Sequence, residues 1–273
     1  MFDSLVWISG MPRSGTNWLA QIFASHPDVR LKTCPLFSYE FKNAMGEESS
    51  PEEWGDFFRQ VYLTQSEYLD QDYLRRENAV PAFPEREVAP RTLAIKSTRF
   101  HHLTPSIIEK VPMIVFVGIV RHPCGAVHSW LTNPLEFPAG CDPLREWRSG
   151  ACRTTGPEEY WGFDAWKRVA SMFLALEMRY PDQFHLVRYE TLTAHATAET
   201  RRLFSSLGLS WASQTERFLA DSQSRHTEHK RGVFKRPDVA DRWRSELSPK
   251  VAREMIDELV GTPLERFIQP VGA

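Results

Sequence analysis

An apolar run, Leu5-Val6-Trp7-Ile8, ends at Ser9-Gly10, and a helix-spaced pattern starts just after a second glycine, Gly15. A strand, a glycine-bracketed loop and a helix in that order are the opening unit of a parallel sheet covered by helices. Trp18, Leu19, Ile22 and Phe23 recur at helical spacing, and Pro27 ends the pattern. Three more apolar runs, residues 92–96, 112–120 and 185–188, are each followed by a polar turn and a helical pattern, as strands buried on both faces are. Helices are expected over residues 16–25, 125–131, 160–179 and 196–207. A last one starts at Ser248-Pro249, an N-cap followed by proline in the first helical position, and runs to Leu259. The expected fold is α/β: a single domain over residues 1–273 with a central parallel sheet flanked by helices.

Composition narrows the functional classes. The formal net charge is −2, so any anion site must come from local basic residues, and no nucleic-acid partner is expected. Cys34, Cys124, Cys141 and Cys152 form no CxxC pair and no metal-like cluster with histidine. They read as reduced thiols of a cytoplasmic protein, although Cys141 and Cys152 are close enough in sequence to pair across a loop. No basic leader precedes the first apolar run and no stretch has the length of a membrane span. Two stretches break the regularity. Residues 42–91, with Pro51, Pro81, Pro84 and Pro90, are expected as short helices over the surface. Residues 132–158, rich in Pro, Gly and Arg, are expected with them as lids at the ligand edge.

The loop Gly10-Met11-Pro12-Arg13-Ser14-Gly15-Thr16-Asn17-Trp18 lies where an open parallel sheet binds ligands, beyond the carboxyl end of a strand. Its glycines let backbone approach an anion. Free N–H groups at the helix start and the Ser14 and Thr16 hydroxyls can surround phosphate-like oxygens, and Arg13 adds a fixed positive charge. The pattern GxxxxGK[ST] has no match. A second signal is Arg121 at the end of the most apolar run, with Ser129 eight residues on in a helix, so that both face one crevice.

Pro12-Arg13-Ser14-Gly15-Thr16-Asn17-Trp18 closely resembles the 5'-phosphosulfate loop, PKSGTTW, of sulfotransferases that use 3'-phosphoadenosine-5'-phosphosulfate (PAPS). The resemblance implies a P-loop-NTPase-like fold, Arg13 in place of the usual lysine, and Trp18 as the adenine platform. Arg121 and Ser129 resemble the family's 3'-phosphate motif, which selects PAPS over ATP. Leu186-Val187-Arg188-Tyr189-Glu190 looks like the family's strand ending in Tyr-Glu, with Tyr189 near the adenine. Phe234-Lys235-Arg236 with Trp243 resembles the late RKGxxGDWK segment, and Lys230-Arg231-Gly232 is a competing register.

The family's Lys-Thr-His base motif is replaced by Lys96-Ser97-Thr98. Glu40, 27 residues after Arg13, and the pair His101-His102 remain as bases. Glu40 is favoured because heparan and tyrosylprotein sulfotransferases use a glutamate in this region, while histidine starts nearer the required pKa. The expected chemistry is in-line displacement without a metal, with Arg13, the loop N–H groups and Lys96 meeting the charge that develops. Trp130, Trp147, Trp161 and Phe137 either line an apolar acceptor site or pin the loops to the core. Small-molecule, sugar, lipid and peptide acceptors stay open, as does a homodimer. The alternatives are a P-loop kinase and a non-catalytic nucleotide-binding protein.

Overall fold

The computed structural model describes residues 1–227, 229–235 and 237–271. The four apolar runs form strands β1 (Ser4–Ser9), β3 (Thr92–Ser97), β4 (Ile114–Val120) and β5 (Phe184–Arg188). A fifth strand, β2 (Val29–Thr33), pairs beside β3. All pairings are parallel, in the order β2-β3-β1-β4-β5. Alternating side chains of a strand leave on opposite faces. Leu5 and Trp7 therefore join one hydrophobic core with Leu93, Ile95 and Phe116, while Val6 and Ile8 join a second with Ala94, Val117 and Ile119. Helices cover both faces, which is why the central strands read as unbroken apolar runs.

Strand β2 was not expected. Its Val-Arg-Leu-Lys-Thr sequence is too polar to read as buried, and it lies at the sheet edge. Lys32 is nonetheless buried, because its ammonium is met by Asp70 at 2.7 Å and by the Thr64 carbonyl.

Residues 42–91 also depart from expectation. The helix Pro51–Leu63 buries Trp54, Phe57, Phe58, Val61 and Tyr62, spaced along one helical face, in the same core as Trp7. Ser50 and Glu53 close a capping box at its start. The Tyr62 hydroxyl donates to the Pro90 carbonyl, and the Arg30 guanidinium lies over its ring, so the helix is clamped to β2. The cysteines are free, with Cys34 and Cys124 buried. Among the described residues no helix is long and apolar enough to cross a membrane.

Candidate active site

The chain leaves β1 through the helix Thr16–Ala24 toward β2, and leaves β4 through the helix Pro123–Leu131 toward β5, on the other side of the sheet. The loops after these neighbouring strands diverge, and a crevice opens between them. Both sequence motifs lie here.

In the first loop, Arg13 and Gly15 have φ of 70° and 91°. Left-handed residues so close together curl the backbone into a concavity suited to an anion. Gly15 precedes the helix without a capping side chain, so among the described residues the helix start has no side-chain cap. Ser14 is buried beneath the loop rather than in the lining. A cleft of about 170 Å³ is lined by Arg13, Gly15, Thr16, Asn17 and Trp18 of this loop. Lys96, Arg121, Ser129 and Tyr189 face the same cleft, as do Lys230, Arg231 and Lys235 from late in the chain. Both late registers thus contribute. Arg236 lies outside the described residues.

Arg13 and Arg121 interlock. The Arg13 Nε donates to Ser129 Oγ at 3.1 Å, and Arg121 Nη1 donates to the Arg13 carbonyl at 3.2 Å. Arg121 also reaches the carbonyls of Val239 and Ala240. Its Nε is buried with no hydrogen-bond partner among the described residues. The backbone that carries it is held on both sides: Trp166 Nε1 donates to the Arg121 carbonyl, and the His122 N–H donates to Glu190. Burial raises the Glu190 carboxyl above its ordinary range, against the pull of the His122 N–H and nearby arginines. Burial also lowers the Arg13 guanidinium from its usual value, opposed by Glu136. Arginine remains charged under either influence.

Trp18 is fixed by a 2.9 Å hydrogen bond from Nε1 to Ser222 Oγ and meets Tyr189 edge-on at 6.4 Å. The Arg13 Nη1 donates to the Lys230 carbonyl at 3.3 Å, which ties the late segment over the first loop. Lys96 is buried at the end of β3 with its ammonium 3.9 Å from Cys34 Sγ.

The three bases expected from the sequence, Glu40, His101 and His102, are absent from the described lining of this cleft. Glu40 is exposed and does not line the cleft. A hydrogen bond with Ser66 lowers its carboxyl from the ordinary value, which makes it a weaker base. His101 is buried between Ser9, 3.0 Å from its Nδ1, and the ring of Tyr160. Burial pushes it down to about 3. The backbone N–H and Nδ1 of His102 both face the Tyr160 hydroxyl, and this histidine also lies off the cleft lining. Trp130, Trp147 and Trp161 are buried; Trp130 stacks on Trp161 at 5.6 Å and meets Phe137 at 5.2 Å. These aromatics pin the segment 132–158 to the core.

Sequence reasoning missed Glu136, Thr193 and Gln223 in the lining. Glu136 carries the only acidic side chain in the described lining of this cleft, and its Oε2 lies 3.7 Å from Arg13 Nε. Nothing in its local sequence marks it, since its place depends on how a loop after Ser129 folds back.

The family model described as the sulfotransferase family matches residues 6–213. No curated protein sequence matches the chain. Among solved structures, the sulfotransferase domain from the curacin biosynthetic pathway is 17% identical, with 94% of this chain and 97% of that chain covered and a TM-score of 0.54. The mouse sulfotransferase SULT7A1 complexed with PAP is 16% identical over 97% of this chain and 87% of that one, at a TM-score of 0.56. Retinol dehydratase in complex with androsterone and inactive cofactor PAP is 16% identical over 97% and 83%, at 0.52. The parallel sheet and its flanking helices are the fold of these neighbours.

Proposed function

The chain belongs to the sulfotransferase family, and on that premise we propose that residues 1–273 act as one domain that moves a sulfuryl group from PAPS to an acceptor hydroxyl or amine. The observation that carries this reading is the presence of two anion-binding features in one cleft. One is an uncapped helix start beside Arg13. The other is Arg121, whose buried Nε has no hydrogen-bond partner among the described residues, next to Ser129. Two of the similar structures are complexes with PAP, which supports the donor. The unpaired cysteines suit a reducing, cytoplasmic setting.

Bound PAPS supplies a sulfuryl group on a phosphate that departs as a stable anion. The protein's part is positioning and electrostatics. Arg13, the N–H groups after Gly15 and Lys96 hold the phosphosulfate end and meet the negative charge that grows as the bond to sulfur breaks. Arg121 and Ser129, with Lys230 and Lys235, take the 3'-phosphate and so discriminate against ATP. Trp18 and Tyr189 flank the adenine.

Isothermal titration with adenosine 3',5'-bisphosphate (PAP), AMP and ATP tests the reading. Tight PAP binding that collapses in Arg121→Ala, with weak AMP and ATP binding, is expected. Equal affinity for all three would overturn the donor assignment.

A further inference from the structure

We propose that Glu136 is the group that takes the acceptor's proton, and that its pairing with Arg13 couples this role to the donor. The inference rests on the PAPS reading above and adds a catalytic residue to it.

Three observations converge on Glu136. It lines the cleft together with Lys96 and Thr98, whereas the adjoining cavity of about 190 Å³ is lined instead by His128, Thr132 and Asn133 beyond Ser129. The carboxylate thus shares with Lys96 and Arg13 the cleft in which the charge of transfer would develop. Second, its Oε2 is buried and has no hydrogen-bond partner among the described residues, while Arg13 Nε approaches it only to 3.7 Å. A carboxylate oxygen withdrawn from water without a hydrogen bond is a costly arrangement, and it is relieved by any donor proton that reaches it. Third, the side chain is aimed by a built turn. The N–H groups of Glu136 and Phe137 donate to the Asn133 carbonyl, that of Leu135 donates to Asn133 Oδ1, and Phe137 is pinned to Trp130.

Arg13 cannot serve two anions in full. As it turns toward a phosphosulfate it gives up Glu136, whose Oε2 is left for the acceptor. Glu136 then accepts the proton of the acceptor hydroxyl or amine, and the acceptor's lone pair forms the new bond to sulfur. The bond from sulfur to the phosphate oxygen breaks, its electron pair stays on that oxygen, and Arg13 and Lys96 face the resulting charge.

The test compares Glu136→Gln, Glu40→Gln and wild type in two measurements: PAP affinity by titration, and release of PAP from PAPS with water or 2-naphthol as acceptor. General-base catalysis contributes about 10²- to 10⁴-fold, so Glu136→Gln should lose about that much turnover. It should bind PAP as tightly as wild type or several-fold more tightly, because Arg13 loses a competing partner. Turnover of Glu136→Gln close to wild type, or the loss appearing in Glu40→Gln instead, would overturn the assignment. So would a joint loss of turnover and PAP binding in Glu136→Gln, which would mark Glu136 as a binding residue. A wild type that binds PAP but releases none from PAPS also overturns it. A wild type that binds no PAP sinks the donor reading itself.

Discussion

Gly15 and Tyr189 share a space that admits no further atom: a Cβ built on Gly15 would stand 2.4 Å from Tyr189 Cδ2. The helix start after β1 and the tyrosine after β5 are thus fitted to each other across the cleft, and Gly15 holds a left-handed φ as well. Gly15→Ala meets both obstacles at once, a left-handed conformation that disfavours a side chain and a ring that must move. The expected result is at least a tenfold loss of PAP affinity in titration, with the circular dichroism spectrum retained. Unchanged affinity would mean that Tyr189 yields freely and is no part of the nucleotide site.

Ser129 Oγ is held by Arg13 Nε at 3.1 Å and shares the cleft with Arg121. If it binds the 3'-phosphate, Ser129→Ala removes one hydrogen bond, worth about 0.5–1.5 kcal/mol, or somewhat more to a charged partner. PAP affinity should fall about three- to tenfold while AMP affinity stays within twofold. An equal loss for both ligands would place the serine's effect on Arg13 rather than on the 3'-phosphate.

Trp54 is fully buried, stacked on Phe58 and set edge-on to Trp7 of β1. Trp54→Ala should cost about 3–5 kcal/mol, as large-to-small aromatic core substitutions do. Urea unfolding monitored by circular dichroism reads the cost directly. A loss below about 1 kcal/mol would return the helix Pro51–Leu63 to the surface role that its charges suggested.

Acid should unfold the protein through two histidines. Burial holds His101 and His122 down to about 3, and His122 also stacks on Trp243 at 4.4 Å. Both folded-state values are depressed, so the unfolded chain binds these protons first as pH falls below about 6.5. Stability is therefore full above that value and is lost progressively between 6.5 and 3. Each histidine contributes about 1.4 kcal/mol per pH unit within the window. Denaturant titrations at about pH 7, 5.5 and 4.5 should show this slope, and His101→Asn should lessen it. A flat profile over the range would show that neither histidine is held neutral by the fold.

Legibility followed locality. The loop from Gly10 to Trp18 was readable because a strand end, two glycines and a helix start act on backbone within a few residues. Arg121 and Ser129 were readable because a strand exit and two helical turns put them on one crevice. The helix Pro51–Leu63 is equally local, with Ser50, Glu53 and the 54, 57, 58, 61, 62 spacing, but the prolines and charges around it have the composition of a surface segment. Strand β2 was not local: Lys32 is tolerated inside only because Asp70 arrives from another segment. The surroundings of the candidate bases were the least legible. Histidine chemistry favoured His101 until packing against Tyr160 and Phe173 took it out of water, and motif position favoured Glu40, which the fold leaves exposed.

By itself the sequence determined the α/β alternation, the glycine-bracketed loop after β1 and the placing of the arginine–serine pair, because each depends on hydrogen-bonding and steric preferences that act over fewer than about ten residues. Only the tertiary structure decided that Lys230 and Arg231 join Lys235 at the cleft, that Glu136 meets Arg13, and that His101 is withdrawn from water. Those outcomes depend on which distant side chains share a space and on how much water remains there, and neither quantity is written in any single stretch of chain.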